Sequence, residues 1–278
     1  MSDATQPEVR PVHSEQYTHG YGAATERMVQ RPVAPNIAFF LPHLRPGMSL
    51  LDCGCGPGTN TVALAEAVAP GPVVGIDLNE SQIELARAYA ARRGVANVRF
   101  EAGNVDVLPF PDASLDAVFV HAVLQHLKDP AKALEEISRV LKPGGLVGVR
   151  DSAEESGILA PHDPIVEQFV HLYYRFWQHS GGDPFLGRHH RRLLREAGFT
   201  RIVATASAGC CGDAEATQRF GETLARLALE PHVADRIIAL GWADRQTLEK
   251  MAAALRAWGT HPDAFQANVC CEAAGWKG

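Results

Sequence analysis

From residue 49 onward, short β-type runs alternate with helical patterns, and a chain written that way closes its core as a parallel sheet flanked by crossover helices. Strand candidates are 49–53, 72–77, 97–101, 115–121, 145–151, 201–207 and 265–273, and helices fit 59–69, 81–93, 130–141 and 189–197. The helix ends carry their own punctuation. Gly94 follows Arg92 and Arg93, and Gly144 with Gly145 follows Lys142 and Pro143, the glycine and basic residues expected where a helix stops.

Two stretches stand outside the alternation. Residues 1–33 hold Tyr17, Tyr21, Arg27 and Met28 and read as a tail or lid, with a helical pattern over 35–44 leading into the first strand. Residues 213–258 read as helical throughout, with Leu224, Leu227, Val233, Ile237 and Leu240 at apolar positions. A shorter excursion, 151–188, places Phe169, Tyr173, Tyr174, Phe176 and Trp177 on one helix, either as core or as the lining of a substrate site. The expected organisation is a lid over 1–33 and one domain over 34–278, with cap insertions at about 152–188 and 212–260.

Composition narrows the partners. The net charge is −6, whereas a phosphate-neutralising domain is normally basic, so nucleic acid is not an expected partner. The polar N-terminus lacks the apolar run of a signal peptide, and no stretch approaches the roughly 20 apolar residues that span a bilayer, so a soluble, cytoplasmic protein is expected. The six cysteines fall as Cys53/Cys55, Cys210/Cys211 and Cys270/Cys271, without C-x-x-C spacing; they read as reduced thiols with no metal, unless the fold brings the two adjacent pairs together. Oligomeric state stays open between monomer and homodimer.

The densest chemical signal is Leu50-Leu51-Asp52-Cys53-Gly54-Cys55-Gly56-Pro57-Gly58-Thr59, an apolar strand running through a glycine-rich turn into a helix. Glycines allow backbone angles closed to other residues and a close ligand approach, and a helix start offers unpaired N–H groups. The next strand ends in Asp77, nineteen residues beyond Gly58, where such folds bind ribose hydroxyls. The turn is G-x-G-x-G, not the G-x-G-x-x-G of dinucleotide sites, and it carries an extra acid in Asp52. That carboxylate would repel a pyrophosphate and attract a ligand bearing a sulfonium and an ammonium.

LLDCGCGPGTNT, VVGIDLNESQIELAR, FEAGNVDVLPFPDASLDAVFVHAVLQHLKDP and LEEISRVLKPGGLVGVRD, in that order, resemble four successive motifs of the class I S-adenosylmethionine-dependent methyltransferases. The chain is most similar to the ubiquinone/menaquinone-biosynthesis type, methyltransferase type 11. The resemblance covers Leu50 to Asp151 and is weaker elsewhere. It implies an α/β fold: a Rossmann-like, seven-stranded, mostly parallel sheet with the last strand antiparallel. It further implies S-adenosyl-L-methionine as cofactor and a small, fairly hydrophobic methyl acceptor. By position, Gly54, Gly56 and Gly58 would pass under the methionine part of the cofactor with Asp52 behind the turn. Asp77 would grip the ribose, with Leu78 and Gln82 beside the nucleoside, and Asn104 and Val105 would meet adenine. The family usually has Asp at position 104, so Asn104 departs from it. Tyr17 and Tyr21 would close over the cofactor.

His121 ends the fourth strand candidate, where the family faces the methionine moiety and the acceptor entrance. If the acceptor must lose a proton, a base is needed, and histidine titrates near neutrality. His126 and His121 are the candidates, His126 foremost, though His126 could equally tie the turn before Asp129-Pro130. Arg188-His189-His190-Arg191-Arg192 reads as a solvated helix start. Two other readings use the same residues: a catalytically silent S-adenosylmethionine-binding protein, and an NAD(P)-dependent oxidoreductase.

Overall fold

The computed structural model describes residues 33–278. Its sheet has strands β1 (Leu50–Cys53), β2 (Val73–Asp77), β3 (Val98–Ala102), β4 (Leu115–His121), β5 (Leu141–Ala160), β6 (Phe199–Cys211) and β7 (Phe265–Lys277), in the order β3-β2-β1-β4-β5-β7-β6. The first five pair in parallel, and β7 runs antiparallel between β5 and β6, as the resemblance implied. All four residues of β1 are buried, as befits a central strand covered on both faces. Strand order reverses between β2-β1 and β4, which opens a crevice beyond the carboxyl ends of these strands.

The helices are α1 (Val33–Ile37), α2 (Thr59–Val68), α3 (Glu80–Arg93), α4 (Pro130–Val140), α5 (Pro164–His179), α6 (His190–Glu196), α7 (Ala214–Leu229), α8 (Pro231–Ala239) and α9 (Arg245–Gly259). Short acidic or amide side chains start most of the long ones by accepting orphan N–H groups: Asn79 from Ser81, Asp129 from Lys132, Asp163 from Ile165 and Val166, Asp213 from Ala216, and Asp244 from Thr247. Gly94 closes α3 at φ 68°.

Several boundaries depart from the sequence expectation. The pattern over 35–44 divides into α1 and a short 3-10 turn at Leu41–His43. The helical stretch after β6 is three helices, broken where Pro231 and the Gly241 turn interrupt it. β5 runs on to Ala160 through a bulge between Ala153 and Ile158. There Ser156 Oγ donates to Ala153 O at 2.6 Å and accepts from the Val269 N–H at 2.8 Å, so a hydroxyl replaces the missing ladder bond.

One hydrophobic cluster fills the space between the sheet and α4, with Leu134, Ile137 and Val140 against Val118, Val120 and Val147. Another lies on the other face around Phe40, Phe119 and Leu64. A separate cluster is made by α5, α7, α8 and α9, and it buries Phe169, Tyr173, Phe176 and Trp177 among Leu224, Leu248 and Leu255. Most of the aromatic group of α5 is therefore core. α7 and α9 approach closely enough that a Cβ on Gly221 would lie 2.5 Å from Leu255 O.

Candidate active site

The crevice is built from the glycine turn upward. Gly54, Gly56 and Gly58 all have positive φ (71°, 51° and 81°), and a Cβ on Gly54 would stand 2.2 Å from Val123 Cγ2. The turn thus needs glycine both for its dihedrals and for the close approach of Val123. The Gly54 and Cys55 N–H groups donate to Ile76 O at 2.8 and 2.9 Å, which ties the turn to β2.

Asp77, half-buried at the end of β2, accepts the Gly56 N–H at 3.0 Å on one oxygen and the Asn79 N–H at 3.0 Å on the other. One carboxylate therefore clamps the turn to the next strand and keeps lone pairs for a ligand hydroxyl. Asp52 is buried, 2% exposed, and accepts from Thr61 Oγ1 at 2.6 Å. It pins β1 to the first turn of α2 from behind the glycines, so it supports the turn from within rather than lining the crevice. Leu78 follows Asp77, and Gln82 is buried on the first turn of α3.

Asn104 spends its Oδ1 on the Asp106 N–H at 2.9 Å, which closes a local turn, and the side chain of Val105 packs into the core under α4. Any contact Val105 makes to a ligand comes through its main chain. Tyr17 and Tyr21 lie outside the described residues.

His121 and His126 belong to different assemblies. His121 Nε2 lies 2.9 Å from Arg150 Nη1 and its Nδ1 lies 3.1 Å from the Asn60 amide. His126 ends the 3-10 turn Leu124–His126 and stacks on Trp177 of α5, with centroids 4.7 Å apart and ring planes 10° apart. Beside it, Gln125 O accepts from Trp177 Nε1 at 3.2 Å and from the Asp183 N–H at 2.8 Å, while Gln125 Oε1 accepts from Ser152 N and Oγ. This turn is the joint between the sheet and the helices above it.

Two buried pairs escaped the sequence reading. Arg150 Nε meets Glu272 Oε1 at 3.1 Å, and His190 Nε2 meets Asp151 Oδ2 at 2.8 Å. His190, expected on a solvated helix start, is 2% exposed, because α6 packs its first turn against the middle of β5. The signal available was a charged residue inside each apolar strand, GLVGVRD and CCEAAGW, since a strand buried on both faces must pair such groups. The cysteine pairs do not come into register: Cys210 faces Ala267 and Cys211 faces Gln266, whereas Cys270 faces Ser207 and Cys271 faces Ala206. Same-face members are four residues apart along the ladder, about 13 Å at strand rise, too far to share an ion.

Open α/β topology, a glycine turn at the switch point and an acid on the neighbouring strand are the features of a nucleoside-cofactor enzyme. The comparisons with known proteins place the chain more closely. A family model described as a methyltransferase domain matches residues 44–198, and the chain belongs to that family. It is 28% identical over 288 residues to the probable methyltransferase ltbC of Aspergillus luteorubrus, covering 94% of this chain and 97% of that protein. It is 36% identical over 151 residues to the demethylmenaquinone methyltransferase of Lactococcus lactis, covering 54% of this chain and 56% of that enzyme. Among solved structures, the YcgJ protein from Bacillus subtilis superposes with a TM-score of 0.59 at 22% identity, over 87% of this chain and 98% of that one. The protein is an S-adenosylmethionine-dependent methyltransferase. Among the described residues, no helix is long and apolar enough to cross a membrane.

Burial pushes the Asp52 carboxyl from its ordinary 3.8 up to about 7; the Thr61 hydroxyl opposes the rise and nearby Asp77 adds to it. The folded protein then holds a proton that the unfolded chain releases above about pH 4. Protonated Asp52 stabilises the fold at low pH, and that stability is lost as pH rises from about 4 to about 7, at no more than about 1.4 kcal/mol per pH unit. Chemical denaturation of the unliganded protein between pH 5 and 7.5, a window set by these values, should show this decline, and Asp52→Asn should flatten it. An unchanged slope in the variant would mean that the carboxyl stays ionised.

Proposed function

We propose that this enzyme moves the methyl group of S-adenosylmethionine, by in-line displacement, onto an O-, N- or C-nucleophile of a small, fairly hydrophobic acceptor. The observation that carries the reading is the Asp77 clamp on the Gly56 N–H with Asp52 buried behind the turn. The cradle suits a ribose and an adjacent cationic group and disfavours a pyrophosphate. When bound, the cofactor supplies a methyl carbon made electrophilic by the sulfonium. The protein's part is to align the acceptor atom about 3–3.5 Å from that carbon and to exclude water.

Residues 1–33, with Tyr17 and Tyr21, would serve as the lid, and the segments 152–188 and 212–260 as the acceptor cap. In support, α5 and α7 to α9 share one core and reach the strand ends through the His126–Trp177 stack. An apolar acceptor agrees with that aromatic joint and with the likeness to an enzyme named for demethylmenaquinone.

Isothermal titration should give micromolar or tighter dissociation constants, about 8 kcal/mol or more, for both S-adenosylmethionine and S-adenosylhomocysteine. Methyl transfer to a panel of apolar phenols and hydroquinones, against polar amines, then reads the acceptor class. Binding of NADH alone sinks the cofactor assignment, and turnover confined to charged amines sinks the apolar acceptor.

His126 is the proposed base for an acceptor that must be deprotonated. His126→Gln should leave cofactor affinity within about twofold and lower turnover by about 10²–10⁴. A variant that loses cap stability but keeps its turnover per folded molecule would make the histidine a structural partner of Trp177 alone.

A further inference from the structure

A row of polar residues crosses four adjacent strands at one level of the sheet. His121 on β4 is in register with Arg150 on β5, Arg150 with Glu272 on β7, and Glu272 with Thr205 on β6. Arg150 and Glu272 are 7% and 5% exposed. Glu272 Oε1 accepts from Arg150 Nε at 3.1 Å and Ser207 Oγ at 2.6 Å, and Oε2 accepts from Thr205 Oγ1 at 2.9 Å. Arg150 also reaches Ser207 Oγ at 3.3 Å and His121 Nε2 at 2.9 Å. At the other end, Asn60 Nδ2 on α2 lies 3.1 Å from His121 Nδ1, and Asn36 Nδ2 on α1 donates to Asn60 Oδ1 at 3.3 Å.

A guanidinium has five donors and no acceptor. His121 Nε2, facing Arg150 Nη1, must therefore present its lone pair. A neutral imidazole carries one ring proton, which leaves that proton on Nδ1. An Asn60 NH₂ group at Nδ1 would meet that N–H donor to donor, so the Asn60 amide, and the Asn36 amide with it, is turned end for end: the Asn60 oxygen accepts from Nδ1 and its NH₂ group donates to the Asn36 oxygen, the oxygen and nitrogen of an amide being assigned from the network. With that choice every donor points one way, from Arg150 through His121 and Asn60 to Asn36, the arrangement in which successive hydrogen bonds strengthen one another.

We infer that Arg150, anchored by Glu272, is a positioning residue that holds His121 as the Nδ1-protonated neutral tautomer, so that His121 shapes the crevice beside the glycine turn and does not serve as the base. The consequence for catalysis rests on the methyl-transfer reading above; the proton assignment does not. A histidine already accepting from a guanidinium has no lone pair left for an acceptor's proton, and a second positive charge there would oppose a sulfonium ligand. The buried ion pair gains its role from this: it fixes an orientation rather than adding stability, the use best attested for such pairs.

Protein labelled with ¹⁵N at its histidines tests this without any ligand, through two-bond ¹⁵N–¹H correlation spectra at neutral pH. One ring should carry its proton on Nδ1 and disappear in His121→Gln. Arg150→Lys, which also can only donate, should keep that tautomer. The double variant Arg150→Met with Glu272→Met, which leaves no unpaired charge, should move the proton to Nε2 or mix the two forms. The same double variant should bind S-adenosylhomocysteine about tenfold more weakly, the scale of one net hydrogen bond. A wild-type His121 protonated on Nε2 overturns the inference whether or not the double variant folds, and so does an unchanged tautomer in the double variant. A wild-type protein with the expected tautomer that binds neither S-adenosylmethionine nor S-adenosylhomocysteine sinks the methyl-transfer reading and leaves the proton assignment standing.

Discussion

Asp77→Ala should weaken S-adenosylmethionine and S-adenosylhomocysteine alike by at least about 100-fold, because two contributions vanish with one carboxylate. The first is the proposed grip on the ribose hydroxyls, where each hydrogen bond to a charged group contributes about 1.5–3 kcal/mol. The second is internal: without Asp77 Oδ2 the Gly56 N–H loses its partner, and only the Gly54 and Cys55 bonds to Ile76 O still tie the turn to β2. Both ligands keep the ribose, so both should suffer equally in calorimetric titration. Asp77→Asn should fall between, since an amide cannot accept on both of its heavy atoms as the carboxylate does from Gly56 and Asn79. A dissociation constant for S-adenosylhomocysteine within twofold of wild type would remove Asp77 from the site.

Arg150→Met alone should cost about 3–5 kcal/mol of stability, the usual penalty for stranding one member of a buried ion pair. Here the stranded group is Glu272, 5% exposed, whose remaining donors are the Thr205 and Ser207 hydroxyls. Those hydroxyls place the expectation at the lower end of the range. Replacing Glu272 by Met as well removes the uncompensated charge and should recover most of the loss. Chemical denaturation of the two single variants and the double completes the cycle. A cost below about 1 kcal/mol for Arg150→Met would mean that the pair behaves as an exposed one.

The chemistry-bearing span from Leu50 to Asp151 was legible because its physics is local. Leu50, Leu51 and Cys53, interrupted only by Asp52, form the apolar run of a strand covered on both sides. Asn79 and Asp129 start their helices with their own side chains, and Gly94 stops α3 with a dihedral that other residues avoid. The same locality marked the glycine turn, Asp52 and Asp77 as one site. It failed where distant segments decide. Nothing near Ser152 announces that β5 continues to Ala160, because the continuation depends on β7 lying alongside and on Ser156 bridging the bulge.

By itself, then, the sequence determined the alternating sheet, the glycine turn and the acid that clamps it, since each rests on residues within neighbouring strand–turn–helix units and on backbone angles that only certain side chains permit. Only the tertiary structure decided which buried charges meet. Arg150 and Glu272 are 122 residues apart in the chain, and His121, Arg150, Glu272 and Thr205 form one row only because four strands fall into a common register. His190 became a buried partner of Asp151, and the α5 aromatics became core, for the same reason: the fate of a polar or aromatic side chain is set by what packs against it, and packing partners arrive from elsewhere in the chain.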